Sequence, residues 1–156
     1  MTESEQVKKA LAKLAKNSKA QGSARFFKTG PGQYSEGDLF IDVSVPAQRK
    51  VAREFKNLEL EEISKLLASS IHEHRATGLM ILVEQFKAAG EETKKKLLKY
   101  YLSKSAAVNN WDLVDMTAAN IVGAWLVISK DFDLLDKLAA SKNMWQRRIA
   151  MVATWA

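Results

Sequence analysis

The segment Lys65-Leu66-Leu67-Ala68-Ser69 resembles Lys137-Leu138-Ala139-Ala140-Ser141, 72 residues further on. Each is followed within a few residues by a basic helix start, His72-Glu73-His74-Arg75 in the first case and Trp145-Gln146-Arg147-Arg148 in the second. Asn110-Trp111-Asp112 begins another helix about midway between them. A unit of about 36 residues, two helices each, fits this spacing. One helix pair cannot bury its apolar face alone, so such units stack. The predicted class is therefore all-α: a helical-repeat solenoid (an α-α superhelix) of antiparallel helix pairs, the second helices lining a concave face. Chance similarity between amphipathic helices is the rival reading.

Apolar periodicity supports the class. Val7, Ala10, Leu11, Leu14 and Ala15 fall at helical spacing within residues 4–19, with lysines between them. Gly22, Gly30, Pro31, Gly32, Ser35 and Gly37 then break any regular element over 20–45. Phe40-Ile41-Asp42-Val43 imitates a strand but has no pairing partner or hairpin signal. Pro46 opens a helix at 46–57. Further helices are expected at 59–69, 72–89, 91–104, 109–128 (broken near Thr117–Asn120), 131–141 and 144–156. This makes one domain, with a basic helical region over 1–28 and an irregular loop over 29–45.

The 156 residues suffice for a real core, and no apolar run in the sequence approaches transmembrane length. The chain has no cysteine, which excludes disulfides and thiolate metal sites. That composition fits a reducing cytoplasm, the expected location. The net charge of +6 is unevenly spread. Residues 1–28 carry seven basic side chains against Glu3 and Glu5, whereas the remainder carries 17 basic and 16 acidic. A basic N-terminal arm suits a polyanion, most often nucleic acid; the alternative is a solvated lysine face. Arg25-Phe26-Phe27-Lys28 interleaves aromatic and basic residues, as nucleic-acid contacts do, but two phenylalanines beside a loop also suit a satellite core.

Asn109-Asn110-Trp111-Asp112-Leu113-Val114-Asp115 places one indole and two carboxylates at a helix start. Trp111 and Asp115, four residues apart, share a helical face. On residue type alone, Trp111 reads as a core aromatic, Asp112 as a first-turn acid, Asn109 or Asn110 as a cap and Asp115 as an exposed partner for a lysine. His72 and His74 stand two apart and do not converge on a metal; packing or capping suits them better. No phosphate-binding glycine loop, HExxH, nucleophile elbow or dinucleotide fingerprint is present.

Several stretches, in order, carry a resemblance: Arg25 to Gly32, Phe40 to Pro46 with Arg49, Ile71 to Arg75, Asn110 to Asp115, and Trp145 to Arg148. Together they resemble the AlkD family of DNA alkylation repair enzymes, glycosylases built from HEAT-like repeats. The resemblance runs from residue 20 onward. It implies a basic concave cleft that holds duplex DNA and hydrolyses the N-glycosidic bond of alkylated purines, chiefly 3-methyladenine and 7-methylguanine, without necessarily flipping the base. It maps the catalytic aspartate onto Asp115, its aromatic partner onto Trp111 and the cleft arginine onto Arg148. Arg147, Lys28 and Arg25 are the further expected DNA contacts. No metal or other cofactor is expected.

Two departures from the family pattern stand out. Asp42 occupies a position where relatives usually have glycine, and relatives continue beyond this length with further repeats and a second cleft tryptophan. A shortened member is therefore expected, monomeric, with its C-terminal edge as the route to any association. Two other functions fit the same features: a non-catalytic DNA-binding repeat module and a protein-interaction scaffold.

Overall fold

The computed structural model describes residues 1–15 and 26–156. Among these the secondary structure is helical: α1 (Glu3–Leu14), α2 (Val45–Glu54), α3 (Leu60–Leu67), α4 (His72–Ala88), α5 (Glu91–Ser103), α6 (Trp111–Ala118), α7 (Ala124–Ser129), α8 (Phe132–Ala139) and α9 (Met144–Ala153). A π-turn over Ala119–Gly123 joins α6 to α7, close to the expected break. The all-α expectation holds. The strand-like run at Phe40 forms no strand; the described residues contain one isolated bridge, Leu39 to Ile71.

The helices start where local chemistry places them. Thr2 and Glu5 form a reciprocal capping box on α1, and Pro46 sits in the first turn of α2. The first helix ends at Leu14, where Ala15 turns extended; residues 16–19 of the expected helix lie outside the described residues. Residues His72 to Val83 of α4 are all buried, which explains why its sequence lacks a polar face.

Contacts fall into two compact units, Met1–Glu84 and Gln85–Ala156. In the first, α1 packs on α2 and α3 around Val7, Leu11, Val51 and Ile63. In the second, α9 packs on α6, on the π-turn and on α8 around Leu113, Ile121, Leu138 and Ile149. The helix from Trp111 to Ser129, π-turn included, is long and apolar enough to cross a membrane, with a mean hydropathy of 1.3; half of that stretch is buried inside the protein. The sequence reading of no such run therefore requires correction.

The internal similarity has a structural counterpart. At the α3–α4 turn, Arg75 Nη1 donates to Ser69 O (2.9 Å), Ser69 Oγ accepts from Ile71 N (3.1 Å), and Ser69 Oγ pairs with His74 Nδ1 (2.9 Å). At the α8–α9 turn, Arg147 Nη1 donates to Ser141 O (2.8 Å), Ser141 Oγ accepts from Asn143 N (3.1 Å), and Ser141 Oγ donates to Gln146 Oε1 (2.6 Å). In both turns the serine carbonyl accepts from the arginine six residues on, and the serine hydroxyl bonds the N–H two residues on and the side chain five residues on.

The loop before α2 is fastened to the start of α4. Leu39 N donates to Ser70 O and His72 N to Leu39 O, at 2.9 and 2.8 Å. The buried Glu73 carboxylate accepts from the backbone N–H groups of Ile41 and Asp42 at 2.9–3.1 Å. Asp42 has φ +58°, the left-handed region that favours glycine. That conformation accounts physically for the glycine expected there, and aspartate is one of the few other residues that tolerate it. Phe27, Phe40 and His72 stack with ring centroids 4.8–5.1 Å apart, so Phe27 belongs to a satellite core, whereas Phe26 is exposed.

Candidate functional site

Asn110, fully buried, opens α6 by accepting from Trp111 N at 2.9 Å. Asp112 turns its carboxylate onto Leu113 N (2.8 Å), a structural use at the positive end of the helix. Leu113, Val114, Thr117 and Ala118 point inward. Trp111 and Asp115 are left on the outer face, Trp111 38% exposed.

Inside α6, Thr117 Oγ1 donates to Leu113 O (2.6 Å) and so must accept from the buried Tyr101 hydroxyl at 2.8 Å. Burial pushes the Tyr101 phenol well above its ordinary range, which keeps it a neutral donor. This back-bonding lies one turn before the π-turn, and such bonds commonly bend helices. The π-turn brings Gly123 against α9, where a Cβ would overlap the carbonyl oxygen of Ala153. That glycine permits the close approach of α9 to α6.

The approach brings Arg148 of α9 to Asp115 of α6. Arg148 Nε donates to Asp115 Oδ1 and Nη2 to Oδ2, both at 2.8 Å, a two-pronged ion pair. Each partner is roughly one-third exposed (38% for Arg148, 33% for Asp115). The hydrogen bond to Asp115 raises the Arg148 pKa further. Among the described residues, Arg148 Nη1 has no hydrogen-bond partner. A guanidinium has five N–H groups, so two remain on Nη1 for an anion. A carboxylate offers about four lone-pair sites, so Asp115 also keeps acceptor capacity while gripped.

Of the other expected site residues, Arg147 makes no bond to Asp115. Arg147 donates from Nη1 to the carbonyls of Ser141 and Lys142 at 2.8 and 2.9 Å, which makes it the counterpart of Arg75. Lys28 is exposed in the first unit, and Arg25 lies outside the described residues. The two histidines pack, as expected: His72 stacks on the phenylalanines and His74 bonds Ser69. Burial and then the Lys8 charge depress His74 to about 4. Burial pushes the Asp38 carboxyl up, but His72 and Arg75 pull it down more, leaving it below its ordinary value. Arg75 is the nearer partner at 2.8 Å, with His72 Nδ1 at 3.9 Å.

Sequence reasoning did not foresee the Asp115–Arg148 pair or the part played by Gly123. A lone glycine in an otherwise apolar helix was the available signal for the second. For the first, the 33 residues between the partners hide the contact.

The fold and site define an all-helical protein with internally repeated helix turns and a partly exposed carboxylate–guanidinium pair one helical turn from an indole. The family model for DNA alkylation repair enzymes matches residues 7–156, and the chain belongs to that family. Its role is accordingly in DNA repair, with DNA as the implied partner. Comparison with curated proteins and with solved structures gave no match.

Proposed function

We propose that the protein is a DNA glycosylase hydrolysing the N-glycosidic bond of cationic alkylated purines, 3-methyladenine and 7-methylguanine, in duplex DNA. The observation that carries this reading is the Asp115 carboxylate, held two-pronged by Arg148 one helical turn from the exposed Trp111, in a chain of the DNA alkylation repair family.

Alkylation at N3 or N7 gives the purine a positive charge and makes it a good leaving group, so the reaction has little need of a general acid. The C1′–N bond breaks with its electron pair going to the base, which leaves as a neutral molecule. Positive charge develops on the deoxyribose, as in glycoside hydrolysis. Asp115 faces that charge and stabilises it more than the ground state. Water, oriented by Asp115, adds to C1′ and loses its proton to solvent. Trp111 lays its π face toward the cationic sugar. Arg148 fixes the carboxylate and presents Nη1 to a phosphate beside the lesion.

The non-catalytic reading, a DNA-binding repeat module, draws on the same pair: a carboxylate engaged by arginine is less free to act. Product analysis separates the two. Incubated with methylated duplex DNA, the protein is expected to release free 7-methylguanine and leave abasic, unbroken strands, as seen by mass spectrometry and by alkali-dependent cleavage. Binding without release favours the module. Binding of a protein partner and not of DNA favours a scaffold.

A further inference from the structure

A groove of about 480 Å³ lies between α1 and α2 in the first unit. Lys9 and Lys13 stand on one wall, one helical turn apart, and Lys50 of α2 also lines it. Ala10, Leu14 and Val51 supply apolar surface, and Glu54 is the single carboxylate in the lining. All three lysines are exposed, and none is paired with a carboxylate of a described residue.

Local chemistry explains why these charges remain available. The α1 acid nearest in sequence, Glu5, is committed to the capping box with Thr2. Glu62 of α3 is committed to Ser4 N and Lys65. Arg49 and Arg53, both exposed on α2, add further positive charge beside Lys50. Lysines on a convex helix face are usually only solvated; here they converge on a concavity.

We infer that the α1–α2 groove binds the sugar–phosphate backbone of DNA, as a site separate from the Asp115 cluster. The inference rests on the glycosylase reading for its ligand. A nucleic-acid strand alternates phosphate anions with the C–H surface of its sugars, and the groove pairs ammonium groups with methyl and methylene surface. Contacts of this kind position DNA without reading its sequence. Leu14, 46% exposed, is covered when a strand lies there.

The test uses the whole chain and an undamaged duplex, with affinity measured by fluorescence anisotropy at several salt concentrations. Each phosphate neutralised on duplex DNA contributes about 0.9 to the slope of log K against log salt. Lys9→Gln, Lys13→Gln and Lys50→Gln together are expected to flatten that slope by about 2–3. The control variant replaces Lys95, Lys96 and Lys99 of α5, removing equal charge elsewhere. An unaltered slope in the groove variant, or equal flattening by both variants, overturns the inference while leaving base release by the parent intact. A parent that neither binds DNA nor releases a base overturns both readings. Binding of an acidic peptide through the groove, with the DNA slope unaltered, assigns it to a protein partner instead.

Discussion

Arg147 and Arg148 are neighbours in sequence with different tasks. Successive helical residues point about 100° apart, so one reaches the turn carbonyls of Ser141 and Lys142 and the other reaches Asp115. Arg148 uses Nε and Nη2 to fix the Asp115 carboxylate, a grip that its expected role at a phosphate did not include. His74 offers a prediction at this scale. Its folded pKa, about 4, lies below the ordinary histidine value of about 6.5. The unfolded chain therefore binds the extra proton first as pH falls. Stability from neutral His74 is fully present above about pH 6.5 and is lost progressively down to about pH 4. Thermal melts over that window, at constant ionic strength, should show a falling midpoint that His74→Gln flattens; an equal fall in the variant would contradict the assignment.

At the scale of elements, the Asp115–Arg148 ion pair and the close passage of Ala153 over Gly123 help to hold α9 against α6 and the π-turn. Gly123→Ala puts a methyl group where backbone already lies, so α9 must shift. Overpacking of this kind costs about 1–3 kcal/mol, measurable as a lowered urea midpoint. Base release should fall with it, because the shift pulls Arg148 from Asp115. Unchanged stability would mean that α9 moves freely at this point. Helix positions were largely legible in the sequence, since apolar residues at 3.6 spacing and the breaks at Pro46 and Gly90 are local signals. The end of α1 was not, because its lysine-rich pattern continues past Leu14 where the backbone turns extended. The π-turn was visible only as a weakness near Thr117–Asn120; its cause includes the bond to Tyr101, sixteen residues away. The candidate site divides the same way. The shared face of Trp111 and Asp115 follows from four-residue spacing, whereas the grip of Arg148 on Asp115 depends on tertiary packing.

At the scale of the molecule, positive charge is not confined to the N-terminal arm. It continues onto α2, where Lys50 joins Lys9 and Lys13 at a groove, and it is distinct from the carboxylate site in the second unit. In the proposed glycosylase one part holds a backbone and another meets the lesion, a division suited to chemistry that requires placement of DNA more than proton transfer. The account stands or falls on Asp115. The decisive measurement is the single-turnover rate of 7-methylguanine release from methylated duplex, for the parent and for Asp115→Asn, with DNA affinity measured alongside. The account predicts a loss of at least about 100-fold in rate, the scale of a lost transition-state charge contact, with binding retained. Equal rates in the two proteins would contradict it.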